Sequence, residues 1–457
     1  MSRTSSMLTV AEQLADNIVV LDGNRLPASV REKCSDLAVD VIGLAVAARR
    51  QDYIKAALAS WDDDGPCTVI GHERMLSAGG AAFVNGTAVH GEDFDDTFEG
   101  GPVHAGAVVV PGVLAACERH NPDGVSALLG VAVGVETLCR LALVTPKLVH
   151  KAGFHPTAVL GAMAATAGVA AALRLDRRQI VDALGIAGSM ASGIIEYLAE
   201  GAWTKRLHPG WAAQAGVRAA LLARHGFVGP RTVFEGAHGL FHGFARTTAG
   251  NYTALASGFG ERWLAETLAF KLYPCGTMTH PYIDCARRLS ARGIEAHAIK
   301  EITCEVGEGT VHRLWEPLAD KQRPPNGYAA KFSQPYCIAA ALMHGNVGLD
   351  AFTDAAVGNP NVLALAAKVR YVVDPANPYP NEFTGHVRAV LHDGSVVEER
   401  QPYMRGGAHE PLTRTDVENK FALCCRYGGW ESARIDAALG LARRLFDGRL
   451  DLVKLRG

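Results

Sequence analysis

The chain has 457 residues, of which 48% are hydrophobic and 20% charged, and its 45 Lys and Arg residues against 47 Asp and Glu residues leave a formal net charge of −2. This length allows two large domains with sizeable cores. The balanced charge argues against nucleic acid or an anionic membrane surface as a partner and favours a small-molecule site. The ten cysteines are scattered without a CxxC motif. They therefore indicate neither a zinc ribbon nor a disulfide framework, and a reducing, cytoplasmic compartment is expected.

The first half of the chain predicts helix after helix and almost no strands. Residues 1–20 interrupt an apolar pattern with Glu12 and Asp16, which predicts an amphipathic helix rather than a signal peptide. The uncharged run PTAVLGAMAATAGVAAAL, residues 156–173, approaches the length of a membrane span, but its Ala, Gly and Thr content predicts an interior helix. The clearest further helices are predicted at residues 30–46, 78–92, 124–143, 177–189 and 211–225.

From about Ala298 the pattern changes to runs of period two, which predict strands at residues 299–306 and 368–374. The segments HVRAVL and VVEER flank an Asp-Gly turn and predict a hairpin. Helices are predicted at residues 329–344, 413–427 and 432–446. The simplest account is a mainly α protein, in which residues 1–269 and 407–457 form one large all-helical domain and residues 270–406 form a smaller inserted α+β domain.

The stretch HGEDFDDTFEGGPVHAG, residues 90–106, places four carboxylates within five positions, those of Glu92, Asp93, Asp95 and Asp96. If the helix predicted from residue 78 continued through it, Asp93 and Thr97 would share one face. Like charges would then crowd a helix C-terminus whose dipole is already negative. The stretch is therefore either a solvated helix end or a segment that faces a cation or a basic site.

Three histidines, His155, His208 and His280, each precede a proline and a predicted helix. Because proline suits the first helical turn, each histidine is expected where free N–H groups and the positive end of the helix dipole emerge. Each one taken singly is also compatible with an ordinary loop or cap residue. Lys205 lies three residues before the second histidine and Lys271 nine residues before the third. Together with these lysines, the histidines predict a basic concavity suited to carboxylates.

The ordered segments HGEDFDDT, GFHPTAVLGA, TKRLHPGWAAQAG, KLYPCGTMTHPYID and AKFSQPYCIA, with His104 between the first two, resemble the MmgE/PrpD family over nearly the whole chain. This family contains 2-methylcitrate dehydratase, cis-aconitate decarboxylase and iminodisuccinate epimerase. The resemblance implies a helical domain with a smaller α+β lid, a homodimer, and a site at the domain junction that needs neither metal nor cofactor. Position by position, it carries the decarboxylase site onto Asp93, Thr97, His104, His155, Lys205, Lys271 and Tyr336.

The resemblance implies acid–base chemistry at a carbon next to a carboxylate. Asp93 and His104 are assigned as the acid/base pair, and Thr97 as the residue that orients the aspartate. His155 and Lys205 are expected to bind the carboxylate of the substrate that lies next to the reacting carbon, and His208 is expected to support them. The residues expected to close over the substrate are Lys271 and Tyr336, and His280 is a further candidate for substrate binding.

The expected activity is that of a metal-independent lyase of the hydro-lyase type acting on a small di- or tricarboxylate. Two alternative reactions are compatible with the same residues. They are decarboxylation of a cis-aconitate-like acid and epimerisation of an iminodisuccinate-like acid. Gly276 replaces a histidine of the decarboxylase branch, and FEGGPVH is shorter than the corresponding dehydratase segment.

Two readings come from other classes of protein. Residues 95–99, DDTFE, have the DDxxE spacing of magnesium-dependent prenyl and terpene enzymes, although no second metal motif follows. A non-catalytic dimeric protein that binds carboxylates is the other alternative. A stoichiometric dependence of activity on magnesium would favour the prenyl or terpene enzyme. A protein that exchanges no proton with any of the acids would be the carboxylate-binding protein.

Overall fold

The computed structural model describes residues 7–101, 103–121 and 123–457. It is 56% helical and 9% strand, so the prediction of a mainly α protein is confirmed. The described residues form two compact units. The first contains the residues up to Gly91, Asp95–Leu268 and Thr413–Gly457, and the second contains Glu92–Phe94 and Ala269–Leu412.

The first unit is built from helices whose starts are set by local capping. Thr9 and Glu12 form a capping box at the first helix, and Asp123 and Asp176 accept backbone N–H bonds at two later ones. The helices before Leu268 are α1 (Val10–Val19), α2 (Ala28–Ala48), α3 (Asp52–Ala59), α4 (Ala78–His90), α5 (Gly106–His120), α6 (Gly124–Ala142), α7 (Leu148–Lys151), α8 (Pro156–Ala172), α9 (Arg177–Met190), α10 (Tyr197–Glu200), α11 (Thr204–Arg224), α12 (Leu240–Ala245) and α13 (Tyr252–Ala256). Short strands also occur, and they are β1 (Asp64–Thr68), β2 (Met75–Leu76), β3 (Thr97–Phe98) and β4 (Leu268–Ala269).

Small residues let the central helices α4, α5, α6, α8 and α11 pack closely. A Cβ atom on Gly210 of α11 would lie 2.1 Å from the carbonyl oxygen of Phe83 in α4. A Cβ atom on Gly168 of α8 would lie 2.7 Å from the carbonyl oxygen of Gly130 in α6. Because the helix backbones touch at these points, residues near them are held at fixed positions. Gly210 follows His208 by two residues, so the α4–α11 contact positions that histidine.

The helix α6 is long and apolar enough to cross a membrane by length and composition, but 94% of its most apolar 18-residue window is buried inside the protein. It packs against α8, which contains nearly all of the long uncharged run of residues 156–173. Both are core helices of the first unit, as their small side chains predict.

The predicted continuation of α4 into the acidic stretch is wrong. The helix ends at His90, and Gly91 packs so closely against Tyr53 that a Cβ atom there would lie 2.1 Å from the tyrosine hydroxyl oxygen. Asp93 then adopts a left-handed backbone conformation with φ of 55°. Asp93, Asp95 and Asp96 are at most 3% exposed, so the solvated reading of this stretch is also wrong.

The three histidines before prolines differ in their positions. His155 is the N-cap of α8, as predicted. His208 lies inside α11, so its prediction is wrong; that helix begins at Thr204 and accommodates Pro209 in its second turn. His280 is the first residue of the next helix, where the pattern placed it.

The second unit consists of a four-stranded sheet covered by helices. Its sheet has the order β6-β5-β7-β8, with β5 parallel to β6 and the other neighbours antiparallel. The strands are β5 (Ile299–Val306), β6 (Val369–Val373), β7 (Gly385–Leu391) and β8 (Val396–Gln401), so both predicted strands and the Asp-Gly hairpin are confirmed. The helices are α14 (His280–Ala291), α15 (Glu308–Leu314), α16 (Leu318–Gln322), α17 (Gly327–Ala330), α18 (Gln334–His344), α19 (Asp354–Val357) and α20 (Pro360–Ala366).

One predicted helix of the second unit is divided in two. The stretch 329–344 contains the end of α17 and all of α18, and the break lies just before Ser333 and Pro335. Ser333 accepts a hydrogen bond from the backbone N–H of Tyr336 and so caps α18. The proline occupies the first turn of the new helix, where its missing N–H costs nothing. The core of this unit packs α14 against β7 and β8 and α18 against α14, and it includes Trp315 and Ile302.

The chain returns to the first unit with α21 (Arg414–Tyr427) and α22 (Ser432–Arg443). Both helices are confirmed, and α22 ends three residues before the predicted limit. The helix α21 packs on α2 through a buried ion pair between Lys420 and Asp40, whose Nζ and Oδ1 atoms are 2.7 Å apart.

Candidate active site

Four histidines form a row in the first unit. The ring centroids of His104 and His90 are 5.1 Å apart, those of His90 and His155 are 5.6 Å apart, and those of His155 and His208 are 5.3 Å apart. His90, His155 and His208 are at most 6% exposed. Three of these four residues were predicted for the site from the sequence, and the structure brings those three together around His90.

His90 was missed by the sequence reasoning. Its Nδ1 atom lies 2.6 Å from Oδ2 of Asp95, and both side chains are completely buried. A carboxylate that accepts this hydrogen bond fixes the orientation of the ring. The one available signal was the five-residue spacing of the two side chains in HGEDFD, which becomes informative only once α4 is known to end at His90.

Asp96 orients His104 through two sets of bonds. Its carboxylate accepts hydrogen bonds from the N–H groups of Ala105 and Gly106 at the start of α5. Its carbonyl oxygen lies 2.6 Å from Nδ1 of His104. Because a carbonyl oxygen only accepts, Nδ1 of His104 carries the proton of this hydrogen bond. Burial, reinforced by the charge of Asp95, raises the pKa of the Asp96 carboxyl to about 7.

His155 and His208 share one proton. Their Nδ1 atoms are 3.1 Å apart, so one must donate and the other accept. Burial lowers the pKa of His155 well below its usual value, and the charges of His90, His208 and Lys205 lower it further. Burial followed by the charges of His90 and Lys205 lowers the pKa of His208 to about 4. Both rings are therefore harder to protonate than an exposed histidine.

Lys205 supplies fixed positive charge beside these rings. It is the second residue of α11, is 8% exposed, and acts electrostatically on both His155 and His208. A cavity of about 520 Å³ opens next to His208 and Tyr197, within the range of small-molecule sites. Its wall also includes Ala158, Ser192, Gly193, Ile194, Glu196, Ala202, Thr204, Leu207 and Trp211.

In the second unit, two buried lysines bind the Glu92–Phe94 segment. Lys271, which is 2% exposed, donates from Nζ to the carbonyl oxygen of Asp93 at 2.9 Å. Lys331 donates to the carbonyl oxygen of Glu92 at 2.6 Å and to its carboxylate at 2.9 Å. The structure thus brings Lys271 and Asp93 together, but through the backbone of the aspartate. Lys331 was not identified from the sequence.

The other three residues predicted for the site, Tyr336, His280 and Thr97, each make contacts of their own. Tyr336 donates from its hydroxyl group to the carbonyl oxygen of Ala351 at 2.5 Å, and burial raises its pKa. His280 packs edge-on against Tyr273, with centroids 5.1 Å apart, inside the second unit. Thr97 is buried in β3, not on a helical face with Asp93.

The DDxxE spacing is not arranged as a magnesium site. Asp95 bonds to His90, and Asp96 bonds to backbone N–H groups of α5, so the two carboxylates already serve other partners. Across residues 7–101, 103–121 and 123–457 there is no group of three or more His, Cys, Asp or Glu side chains that could hold a metal ion. Asp95 and Asp96 thus support the histidine row.

Comparison with known proteins gives the same family as the sequence motifs. Residues 12–252 match the MmgE/PrpD N-terminal domain, and residues 273–441 match the MmgE/PrpD C-terminal domain. The chain is 28% identical to the cis-aconitate decarboxylase-like protein oryM of Aspergillus oryzae over 90% of its own length and 89% of that protein. It is 27% identical to cis-aconitate decarboxylase of Aspergillus terreus, over 87% of this chain and 85% of that protein.

Human cis-aconitate decarboxylase is 30% identical to the chain over 80% of this chain and 76% of the human protein. Relatives with these names support a lyase-type function. With both domain models matched over most of its length, the chain belongs to the MmgE/PrpD family.

Proposed function

We propose that this protein is a metal- and cofactor-independent lyase that removes or adds a proton at a carbon next to a carboxylate of a small di- or tricarboxylate. The observation that carries the proposal is the orientation of His104, whose Nδ1 atom donates to the Asp96 carbonyl oxygen, so that Nε2 is the ring nitrogen proposed to act as the base. A neutral imidazole of fixed tautomer is suited to general acid–base catalysis near neutral pH.

The surroundings of this base support an anionic substrate. Lys205 provides a buried positive charge, and His155 is the N-cap of α8, at the positive end of the dipole of that helix. His208 holds the ring of His155. In this proposal Lys205 and His155 bind the reacting carboxylate and stabilise the enolate-like intermediate that forms when the neighbouring carbon loses its proton.

The family resemblance adds five further residues to the proposed site. Asp93 is proposed as the second member of the acid/base pair, with Thr97 in support, and Lys271, Tyr336 and His280 as substrate-binding or proton-donating groups. The bond from Lys271 to the Asp93 carbonyl oxygen gives the lysine an additional role, because it holds the strained backbone of the aspartate. We also propose that residues 270–406 act as a lid on the helical domain.

Decarboxylation is the first reaction to test, because three relatives over most of the chain are named for cis-aconitate decarboxylase. Dehydration of a 2-methylcitrate-like acid is the second candidate. Gly276 favours it, since a Cβ atom there would already lie 3.3 Å from the Phe332 ring, which leaves little room for the histidine of the decarboxylase branch. Epimerisation would require only the proton transfer that both reactions share.

Two measurements test the proposal. The protein is incubated in deuterium oxide with cis-aconitate, 2-methylcitrate and a series of C4–C7 di- and tricarboxylates, and exchange of carbon-bound hydrogen, release of carbon dioxide and formation of alkene are followed together. Turnover should survive EDTA treatment. Exchange on none of these acids would contradict lyase chemistry and favour a binding protein, and activity that EDTA removes and a divalent ion restores would contradict the metal-independent mechanism.

We further propose that the protein is a homodimer of the cytoplasm. The ten cysteines are all free and buried, which fits a reducing compartment. Four large apolar side chains on the first unit are 43% to 61% exposed and would be covered by a second copy, namely those of Ile194, Leu198, Trp203 and Trp211. Light scattering at micromolar concentration should give twice the 48.5 kDa chain mass, and a monomer would contradict the proposal.

A further inference from the structure

The cavity beside His208 differs in chemistry from the histidine row that it adjoins. Its walls are mostly apolar and include Ala158, Leu207 and Trp211. Its wall residues all lie in the described part of the chain, and among them there is no lysine or arginine, whereas Glu196 is acidic. A carboxylate in this cavity would find no cation to compensate its loss of water and would be repelled by the glutamate. The cavity is therefore suited to an apolar group rather than to the carboxylates of a substrate.

Close packing fixes the wall that faces His208. The backbone N–H of His155 donates to the carbonyl oxygen of Gly193 at 2.8 Å. Gly193 has φ of 118°, and a Cβ atom on it would lie 2.5 Å from the Cβ atom of Ala158 in α8. Since only glycine combines this conformation with so close an approach, the shape of the cavity is specified by the sequence at this position.

His208 joins the cavity to the residues proposed to bind the substrate carboxylate. Its ring lines the cavity, and its Nδ1 atom is 3.1 Å from Nδ1 of His155. Tyr197 lines the same cavity and packs edge-on against both rings, with centroid distances of 5.8 Å to His208 and 6.2 Å to His155. Lys205 precedes His208 by three residues on α11 and acts electrostatically on both histidines. A cation and an apolar space are thus adjacent on the same helix.

The cavity is larger than a methyl or ethyl group requires. Its volume is about 520 Å³, whereas an apolar cavity of about 150 Å³ already accommodates a benzene ring in a protein. Ile194 and Trp211 in its wall are 61% and 43% exposed, so a ligand that covers them would bury apolar surface. In the proposed homodimer a second copy would cover these two side chains as well and would close the cavity from outside.

We propose that the substrate of this protein is a di- or tricarboxylate that carries an apolar side group of roughly six carbon atoms, about the size of a benzene ring, and that this group occupies the cavity beside His208 while Lys205 and His155 bind a carboxylate. The inference rests on the proposed function for the carboxylate end of the substrate and for the reaction. It adds the chemical class of the substrate, which the acid–base chemistry at His104 does not specify.

Calorimetric titration with succinate and with 2-methyl-, 2-butyl- and 2-hexylsuccinate tests the proposal. These acids carry their alkyl group on a carbon next to a carboxylate, so the two ends of one ligand can reach the cation and the cavity. In the wild type each added methylene group should tighten binding roughly two- to fourfold. Lys205→Met should weaken binding of all the alkylsuccinates by a similar factor and retain this dependence on chain length, because the charge and the cavity act on different parts of the ligand.

Ala202→Phe tests the location of the alkyl group. Ala202 is an exposed residue of the cavity wall, and a phenyl ring there would occupy part of the space. The affinities for methylsuccinate and hexylsuccinate should then agree within about twofold, because the longer chain gains no further burial. Ala199→Phe is the matched control, since Ala199 is also exposed and lies in α10 but does not line the cavity. It should keep the wild-type dependence on chain length.

Tryptophan fluorescence gives a second measurement that needs no cavity-filling variant. Hexylsuccinate should shift the emission of the wild type to shorter wavelength as the indole of Trp211 loses contact with water, and Trp211→Phe should remove the shift. Equal affinities for the four acids in the wild type would overturn the inference, and this is the result expected if a second copy fills the cavity in the homodimer. A dependence on chain length that Ala202→Phe leaves intact would overturn it too.

Failure of the inference and failure of the proposed function give different results. Hydrogen exchange on cis-aconitate or 2-methylcitrate without any gain in affinity from longer alkyl chains would defeat this inference alone. Absence of exchange on every acid, together with binding of hexylsuccinate that Ala202→Phe weakens, would defeat the proposed lyase function alone and support the cavity as a binding site for the apolar group.

Discussion

Lys271 donates a hydrogen bond from its ammonium group to the backbone carbonyl oxygen of Asp93, not to the carboxylate of that residue. The aspartate has a left-handed backbone conformation, with φ of 55°, which a non-glycine residue adopts only when its surroundings hold it there. The lysine is 2% exposed and supplies one of those restraints. A residue predicted to bind substrate thus also fixes the backbone of a predicted acid/base residue.

The first prediction concerns this bond. Lys271→Met keeps most of the apolar stem but removes the donor from a buried carbonyl group, which should lower the free energy of unfolding by about 1–3 kcal/mol. Turnover should fall at least 100-fold, because the aspartate loses a backbone restraint and the site loses a positive charge. Chemical denaturation and steady-state kinetics measure the two effects.

Lys331→Met is the matched control for Lys271→Met, because Lys331 is another buried lysine that holds the same segment, through Glu92. It should lower stability to a similar extent with a much smaller loss of turnover. Equal losses of turnover in both variants would mean that Lys271 acts on stability alone.

The second prediction separates substrate binding from proton transfer. Lys205→Met removes a buried charge proposed to face a substrate carboxylate, so ligand affinity and turnover should both fall by two orders of magnitude or more. Asp93→Asn keeps the shape of the side chain, and asparagine tolerates the left-handed backbone, so ligand binding should be retained while turnover falls by roughly 10² or more. Isothermal titration calorimetry and kinetics on both variants provide the comparison. Near-normal affinity in Lys205→Met, or near-normal turnover in Asp93→Asn, would refute the corresponding role.

The third prediction tests His104 as the base. His104→Asn retains an N–H group able to donate to the Asp96 carbonyl oxygen but has no atom in the place of Nε2. The fold and its melting temperature should be nearly unchanged, whereas deuterium exchange at the substrate carbon should slow by about 10²–10⁴-fold. Exchange at the wild-type rate would show that another group takes the proton.

The fourth prediction is a loss of stability in acid caused by the His155–His208 pair. The pKa of His208 falls from 6.5 to about 4 on folding, and that of His155 falls in the same direction, mainly through burial. Below pH 6.5 the unfolded chain therefore binds protons that the folded chain does not, so the free energy of unfolding decreases as pH falls and levels off near pH 4 for His208.

The contribution of His208 to this acid effect should be about 3 kcal/mol at most. Denaturant titrations between pH 7 and 4, compared with the same series on His208→Gln, measure it. An identical pH dependence in the variant would rule out His208 as a source of the acid sensitivity.

Many local elements follow from the sequence because their causes act over a few residues. The cap at Asp176, the proline after His155 and the Asp-Gly turn at residues 393–394 each specify a helix start or a hairpin through neighbouring backbone groups. Small residues at the helix contacts predicted close packing, and Gly210 against Phe83 shows it. The motifs also identified the family, since their order along the chain is preserved whatever the detailed geometry.

The protonation and partners of the candidate site were decided only by the tertiary structure. The helix α4 ends at His90, beside the close contact of Gly91 with Tyr53 from another helix. His155 meets His208 across 53 residues of chain, and α11 begins upstream of His208 because the proline is tolerated within it. Nδ1 of His90 lies 2.6 Å from Oδ2 of Asp95, in a contact from which water is fully excluded. Such outcomes depend on desolvation and on contacts between distant segments, and a local sequence pattern contains neither.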